Sequence, residues 1–266
     1  MYNRGRVGKL GVVTTQLQGA LRRKWLPEAG PLRLLLEVLI IVPAYALYQL
    51  VRGLVDSTFA GAEAFRRAQT LIHFETRLGI FWEAELQALI LTKEALIDLF
   101  NLVYVWGHLP FIIVVAILLY MWRRERYPMY RNAFLISGAI GLIAFAFVPL
   151  APPRFMPAWG FVDTAVREGS YYIWQNPAFV NQYAAMPSLH FGWDLLVACV
   201  ILKEAPNPVR WIGLFTPFLT FVAIVVTANH YFLDAAAGGA VAMAGLALAY
   251  ALRRFVPRQS PLAVLT

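Results

Sequence analysis

Met186-Pro187-Ser188-Leu189-His190 and Asn229-His230-Tyr231-Phe232-Leu233-Asp234 are two short segments that each begin an apolar stretch. The chain has four histidines, and two of them stand in these segments. A His followed four residues later by an Asp shares a helix face with it, so the carboxylate can orient the imidazole. A Ser and a His two residues apart at a helix start can bind an anion and donate a proton. Where such groups lie at the water boundary of a membrane, we expect chemistry on a lipid head group.

The composition indicates an integral membrane protein. Of the 266 residues, 60% are hydrophobic and 14% are charged, and the mean hydropathy is +0.60. Soluble domains are usually near half apolar and a quarter charged. The net charge of +8 comes from short basic clusters beside apolar spans, which is typical of membrane topology and not of nucleic-acid binding. The single cysteine, Cys199, excludes a disulfide within the chain and a C-x-x-C site, and we expect no metal and no cofactor.

Six membrane spans are predicted, and each except the short fourth has about the length needed to cross roughly 30 Å of hydrocarbon. They cover residues 33–53, 97–122, 132–150, 188–203, 211–228 and 231–252. The predicted fold is therefore an all-α integral membrane protein, a six-transmembrane helix bundle. Three parts are expected: a basic N-terminal segment (1–32), a single membrane catalytic domain (33–254) and a short tail (255–266).

The Lys and Arg residues predict the orientation. Most of them lie in the N-terminal segment, in the loops after the second and fourth spans, and in the tail. These parts all fall on one side of a six-span bundle, which is the cytoplasmic side by the positive-inside rule. Both termini are then cytoplasmic, and Arg154, Ser188, His190 and His230 are extracytoplasmic. The expected location is the inner membrane of a bacterial-type cell.

Two long segments lie on the predicted outer side. Residues 54–96 show apolar residues at three- and four-residue intervals, which predicts one or two amphipathic helices at the extracytoplasmic interface. Residues 151–187 are rich in Tyr, Trp, Pro and Asn, which indicates an irregular aromatic cap over the outer surface.

The second quoted segment predicts an oriented nucleophile. Asp234 is expected one turn into a membrane helix, where an unpaired carboxylate is unfavourable, and a hydrogen bond from His230 relieves this. That bond also fixes the tautomer, so the other ring nitrogen becomes a nucleophile toward phosphorus. A purely structural His–Asp pair between helices is the alternative.

Three further groups complete the pattern for phosphoryl transfer. Ser188 and the free N–H groups after it form an anion site at a helix start, and His190 can protonate a leaving oxygen. Arg154 follows two prolines just outside the third span and can bind phosphate in a bidentate way. The alternatives are an ordinary helix cap with an interfacial His, and an ordinary head-group anchor. Together these groups suffice for phosphoryl transfer without a metal.

Other polar residues are candidate substrate contacts. Asn101, Tyr104 and His108 share one face of the second span, either as substrate contacts or as structural partners. Asp194 lies one turn below the His of the first segment and either orients it or pairs within the bundle. Asp163, in the predicted cap, can contact a head group.

These residues resemble the motifs of the type-2 phosphatidic acid phosphatase superfamily, which shares its core with vanadium haloperoxidases. That superfamily has the motifs K-x6-R-P, P-S-G-H and S-R-x5-H-x3-D. The second stands here as Pro187-Ser188-Leu189-His190, the third as His230 and Asp234, and the first as Arg154 alone.

The resemblance covers roughly residues 60–252. It is greatest to the branch of inositol phosphorylceramide synthase, the aureobasidin-resistance enzyme, and its bacterial relatives. The segments that resemble this branch are Asn181-Gln182-Tyr183-Ala184-Ala185-Met186 and Ala228-Asn229-His230-Tyr231. Asn229 is therefore a further candidate for substrate binding.

The resemblance implies a role for each motif residue. His230, oriented by Asp234, attacks phosphorus and forms a phosphohistidine, and His190 protonates the leaving group. Arg154 and Ser188 hold the phosphate oxygens.

Two cations of the superfamily pattern are missing. Val148 stands near the position of the first motif's Lys, and Ile224 stands at the position of the third motif's Arg. A substrate with less charge than a phosphomonoester is therefore expected, which favours head-group transfer over monoester hydrolysis.

The predicted function is a membrane phosphotransferase of lipid metabolism that acts on a lipid phosphodiester or diphosphate through a phosphohistidine. Its expected partners are a phospholipid or lipid-linked phosphate, an alcohol or lipid acceptor and the surrounding membrane lipids, with no nucleic acid. A lipid phosphate phosphatase, in which water is the acceptor, is the near alternative. A catalytically inactive lipid-binding or transport protein is the alternative from another class, although binding alone needs no nucleophile.

Overall fold

The computed structural model describes residues 31–54, 60–164 and 182–255. Within these ranges the chain is helical and forms no strand, apart from one isolated bridge between Leu150 and Ala184. The chain divides into two compact units, Met1–Pro43 and Ala44–Thr266. The prediction of an all-α protein is confirmed for the described residues.

Nine α-helices lie within the described residues. They are α1 (Pro31–Leu54), α2 (Ala60–Leu78), α3 (Glu83–Ala88), α4 (Glu94–Leu102), α5 (His108–Trp122), α6 (Tyr127–Phe147), α7 (Leu189–Glu204), α8 (Ile212–Val226) and α9 (Phe232–Phe255). One turn of π-helix, Val103–Gly107, joins α4 to α5. Short 3-10 turns occur at Pro153–Phe155, Pro157–Trp159 and Val209–Trp211.

Several helices are long and apolar enough to cross a membrane, so this is a multi-pass membrane protein. Among the described residues there are four such spans: Arg33–Leu50, Tyr127–Phe147, Val209–Val226 and Phe232–Phe255. The segment from α4 to α5 gives a fifth if its two parts, bent by 47°, form one span. The predicted fourth span is α7, whose 16 residues extend only about 24 Å. The count of six therefore stays a prediction.

The surface of these helices is apolar. Large exposed hydrophobic side chains include Ile113 and Ile117 on α5 and Phe215 and Phe218 on α8. Such a surface is unfavourable in water but not in hydrocarbon, where the backbone polar groups must instead be satisfied inside each helix.

The interior is formed mainly by α6, α7, α8 and α9, since the closest helix pairs are α6 with α9, α7 with α8, and α7 with α9. Small residues on α9 permit close packing. The starts of α7 and α9 lie together, and these starts carry the two quoted segments.

The predicted amphipathic segment contains α2 and α3. One face of α2 is buried, with Ala64, Ala68, Ile72 and Glu75 each fully inaccessible to solvent, while Arg66 and His73 are exposed. Neither helix is among the candidate spans. Their position at a membrane interface stays a prediction.

The predicted cap begins with two 3-10 turns, and Met156 and Phe161 are buried there against Tyr231 and the buried face of α2. Residues 165–181 of the predicted cap lie outside the described residues, as does most of the basic N-terminal segment.

Candidate active site

The turn between α8 and α9 buries His230, of which only 4% is exposed. The N–H groups of Asn229 and His230 both donate to the carbonyl of Ile224, at 3.0 and 3.1 Å. Ala228 has a φ of 53°, an unfavourable conformation for a residue with a Cβ. Its carbonyl accepts a hydrogen bond from the backbone N–H of Arg154 at 2.8 Å. The turn therefore brings Arg154 and His230 to the same place.

The ring of His230 is oriented through Nδ1, which lies 2.8 Å from the carbonyl oxygen of Ala185. Because a carbonyl only accepts, Nδ1 carries the proton, and in the neutral ring Nε2 carries the lone pair. Oδ2 of Asp234 is 3.6 Å from the same Nδ1, and it accepts a hydrogen bond from the N–H of Tyr231 at 2.9 Å. The carboxylate thus lies beside the imidazole, while the hydrogen bond of the ring goes to the backbone.

Ser188 precedes α7 as its N-cap and is fully buried. Its side-chain oxygen accepts a hydrogen bond from the N–H of Phe191 at 3.4 Å, the usual way to satisfy a free donor at a helix start. The backbone N–H of Ser188 donates to the carbonyl of Asp234 at 2.9 Å. His190 lies in the first turn, and its ring centroid is 5.8 Å from that of His230. The two quoted segments therefore form one site.

Two glycines permit this contact between α7 and α9. A Cβ on Gly238 would lie 2.0 Å from the carbonyl oxygen of Ser188, and a Cβ on Gly192 would lie 2.4 Å from that of Gly238. Both obstructing atoms belong to the backbone, which cannot rotate away as a side chain can. Any larger residue at position 238 would therefore push the start of α7 away from α9.

Arg154 lies in the 3-10 turn Pro153–Phe155 and is largely buried. Its Nη1 donates to Oδ1 of Asn229, and its Nε is 4.0 Å from Oδ2 of Asp163. Nδ2 of Asn229 in turn donates to Oγ1 of Thr227 at 2.7 Å. Asn229 therefore joins the guanidinium to the turn that carries the nucleophilic candidate, and Asp163 lies on the guanidinium's other side.

Tyr104 and His108 contact His190 from the side of α4 and α5. The ring of Tyr104 is 4.3 Å from that of His190 and 6.3 Å from that of His230. The ring of His108 is 4.7 Å from that of His190. Tyr104 lies within the π-helical turn and His108 directly follows it, and such turns often occur at functional sites.

Asp194 is directed at His108. Its Oδ1 lies 3.1 Å from Nδ1 of His108, and its Oδ2 accepts a hydrogen bond from Oγ1 of Thr220. Asn101 is buried one turn before Tyr104, and its amide makes no hydrogen bond in the described part of the structure. The structure thus brings together all the predicted residues of the second span except Asn101, which shows no direct contact with the two histidines.

Three groups at the site were not among the sequence predictions. The carbonyl of Ala185 holds the ring of His230, and Glu75 and Glu83 accept hydrogen bonds from the first residues of α9. Glu75 continues the buried face of α2, at helical spacing after Ala64, Ala68 and Ile72. A charged residue on an otherwise apolar helix face was the signal for it.

Within the described ranges no group of three or more His, Cys, Asp and Glu residues is arranged to hold a metal ion. The arrangement offers a guanidinium, the start of helix α7, and two imidazoles that face each other. The guanidinium and the helix start can bind an anion, and the imidazoles can donate a proton to it or attack it as nucleophiles.

The comparison with known families agrees with this geometry. The family model described as PAP2 superfamily matches residues 69–248, which is more than half of the chain. No curated protein and no solved structure matches the sequence of this chain. The members of this superfamily are phosphatases and phosphotransferases, so the protein is an enzyme of that type. The chain belongs to the PAP2 superfamily.

Proposed function

We propose that the protein is a phosphotransferase that moves a phospho-head group from a lipid phosphodiester or diphosphate to an alcohol acceptor through a phosphohistidine. The observation that carries the proposal is the pairing of His190 with His230. Their rings are 5.8 Å apart, the ring of His230 is oriented through Nδ1, and Arg154 is joined to the same turn by Asn229.

In the first step, Nε2 of His230 attacks the phosphorus atom of the lipid phosphate. A P–N bond forms and the P–O bond to the leaving group breaks, while His190 gives a proton to the leaving oxygen. The carboxylate of Asp234, 3.6 Å from Nδ1, stabilises the positive charge that develops on the ring.

In the second step, the acceptor hydroxyl attacks the phosphorus of the phosphohistidine. His190, neutral after the first step, removes the hydroxyl proton, the new P–O bond forms and the P–N bond breaks. The products are the transferred phosphoester and a neutral His230, and His190 is again protonated. Water in place of the alcohol would give hydrolysis by the same steps.

Arg154 and Ser188 are proposed to hold the phosphate oxygens. The guanidinium of Arg154 can place two N–H groups on one phosphate, and Asn229 keeps it in position. The oxygen of Ser188 already accepts from Phe191, so its hydroxyl proton can be donated to the substrate. The start of α7 adds a favourable potential for an anion.

The substrate class follows from the charges that are missing. Val148 stands near the position of the first motif's Lys, and Ile224 stands at the position of the third motif's Arg. Both side chains are aliphatic. A phosphodiester has less negative charge than a monoester and needs fewer cations. This supports head-group transfer, as in the inositol phosphorylceramide synthase branch that the sequence resembles. Tyr104, His108 and Asp163 are proposed to contact the head group or the acceptor.

The proposed membrane arrangement has six spans, with α7 as the short fourth. The basic clusters support cytoplasmic termini and a site on the extracytoplasmic side, in the inner membrane of a bacterial-type cell. Helices α2 and α3 then lie at the outer interface.

The test is a transfer assay with purified protein and radiolabelled lipid phosphomonoester, phosphodiester and diphosphate, each with and without an alcohol acceptor. A labelled product that depends on the acceptor, and a labelled protein intermediate absent from His230→Ala, support the proposal. Release of inorganic phosphate with no dependence on the acceptor contradicts transfer and indicates a phosphatase. No turnover together with no binding of vanadate indicates a lipid-binding protein.

A further inference from the structure

Glu75 and Glu83 are two fully buried acids that contact the start of α9. Glu83 Oε1 accepts a hydrogen bond from the N–H of Phe232, and Glu75 Oε1 accepts one from the N–H of Leu233, both at 2.9 Å. The first four N–H groups of a helix have no partner within it, so the two carboxyl groups satisfy donors that would otherwise be buried and unpaired. Because Glu75 lies on α2 and Glu83 on α3, both of these helices are joined to the start of α9 by hydrogen bonds.

The remaining oxygens of the two acids indicate a shared proton. Oε2 of Glu75 and Oε2 of Glu83 are both buried, and neither accepts a hydrogen bond from an N–H group or a hydroxyl group in the described structure. Two buried carboxylates side by side repel each other, whereas a single proton between them satisfies both oxygens. Burial raises the pKa of Glu75 to about 9, and the charge of Glu83 and a hydrogen bond to its carboxyl group contribute to the increase.

The pair binds residues that follow the proposed nucleophile closely in the chain. Three consecutive N–H groups after His230 are bound by carboxyl oxygens, since Tyr231 donates to Asp234 and the next two residues donate to Glu83 and Glu75. The backbone that follows His230 is therefore held by three hydrogen bonds to carboxyl groups. Two of these carboxyl groups belong to helices other than α9.

Helix α3 also holds the loop beside Arg154. Nε2 of Gln87 donates to the carbonyl of Val162 at 2.8 Å, and its Oε1 accepts from the N–H of Val162 at 3.0 Å. The next residue, Asp163, is 4.0 Å from Nε of Arg154. One short helix thus contacts both the loop next to the phosphate-binding candidate and the helix that follows the nucleophile.

We infer that Glu75 and Glu83 are positioning residues for the proposed phosphoryl transfer: holding one proton between them, they fix the start of α9 and with it His230. This inference rests on the proposed function. Among the described residues, the ionisable groups that face the pair are Asp234, at the start of α9, and Tyr231, which directly precedes this helix.

The two buried acids predict an effect of alkaline pH. Once the shared proton is lost, two buried negative charges face each other, and the two N–H contacts to α9 are disturbed. Glutamine at position 75 cannot lose a proton, yet its amide keeps an oxygen for Leu233 and offers an N–H to Glu83. Glu75→Gln should therefore keep activity at neutral pH and lose the alkaline decrease.

The first measurement is kcat and KM of lipid phosphate transfer against pH for the wild type, Glu75→Gln, Glu83→Ala and the control Glu85→Gln. Glu85 is exposed two residues from Glu83 on the same helix. We expect a decrease of kcat near pH 9 in the wild type and in Glu85→Gln, and none in Glu75→Gln. Glu83→Ala should lower kcat roughly 10- to 100-fold at neutral pH with little change in KM.

The second measurement does not depend on activity. Hydrogen–deuterium exchange of a peptide covering residues 229–236 should increase above pH 9 in the wild type relative to Glu75→Gln at the same pH. If exchange increases as expected but the protein turns over no lipid phosphate, the proposed function is contradicted, while the role of the two acids in holding the start of α9 is supported. An alkaline decrease of kcat that persists unchanged in Glu75→Gln, or equal exchange in the two proteins, overturns the inference even if Glu83→Ala fails to fold.

Discussion

Nδ1 of His230 donates its hydrogen bond to the carbonyl oxygen of Ala185, at 2.8 Å. Ala185 precedes the segment that carries Ser188 and His190. The segment with the proposed general acid therefore also orients the ring of the proposed nucleophile. Because a backbone carbonyl fixes the tautomer, the carboxylate of Asp234 is left to act mainly through its charge, from 3.6 Å.

Asp234→Asn separates this charge from the structural contact. The amide oxygen of Asn can still accept the hydrogen bond from Tyr231, so the start of α9 should be kept. The substitution removes the negative charge that stabilises the positively charged ring of His230 while the phosphohistidine forms. We therefore expect kcat to fall roughly 10²- to 10⁴-fold. The measurement is kcat together with the thermal midpoint. A wild-type kcat in a folded Asp234→Asn protein would assign the carboxylate to structure alone.

His230→Ala removes the proposed nucleophile. We expect turnover to fall by roughly 10³-fold or more and the labelled protein intermediate to disappear. His73→Ala is the matched control, since His73 is an exposed histidine on α2 whose ring contacts Trp159. Labelling of the protein after an alkaline quench, stable in base and lost in acid, measures the intermediate. Equal labelling of both variants would exclude His230 as the attacking group.

The stability of the fold should depend on pH through Glu75. Its pKa is raised from 4.5 to about 9 in the folded state, first by burial and then by Glu83. The folded state therefore binds this proton more tightly than the unfolded state. Its contribution is fully present below pH 4.5, decreases as the pH rises and is lost above about 9.

Thermal unfolding in detergent at a series of pH values measures this dependence. We expect the midpoint temperature to fall between pH 4.5 and about 9, and Glu75→Gln to reduce the slope. Glu63→Gln is the control on the same helix, because hydrogen bonds from Arg66 and Arg67 lower the pKa of Glu63 to about 2, outside this window. The same slope in Glu75→Gln as in the wild type would show that Glu75 is not the titrating group.

Hydropathy predicted the positions of the spans because the bilayer constrains them strongly. The predicted spans at 132–150 and 231–252 overlap α6 and α9 over most of their length. The span at 97–122 corresponds to α4, the π-helical turn and α5, which are bent by 47°. The mean hydropathy of the segment gives no signal for this bend.

The residues of the candidate site could be named from the sequence where residue type and spacing carry the proposed chemistry. His190, His230 and Arg154 could be named because imidazoles and a guanidinium have few other uses in apolar surroundings. The backbone carbonyl of Ala185 could not be named from the sequence, since every residue has a backbone carbonyl. Glu75 contacts Leu233 across 158 positions of the chain, a distance at which spacing carries no information.

Gly238→Ala tests whether the contact between α7 and α9 positions the site. Alanine favours a helix by about 1 kcal/mol over glycine, so propensity alone predicts a gain in stability. A Cβ at this position, however, would lie 2.0 Å from the carbonyl oxygen of Ser188, and the two helices must separate. We expect a net loss of about 1–3 kcal/mol of stability and a fall in kcat, because His190 moves away from His230.

The neighbouring Gly239→Ala is the control for this variant. Its Cβ would be 3.3 Å from the ring edge of Phe191, a side chain that can shift slightly, so we expect stability and kcat close to those of the wild type. Thermal midpoints and transfer rates of the two variants give the comparison. Equal effects of the two substitutions would mean that the close approach of α9 to Ser188 does not determine the geometry of the histidine pair.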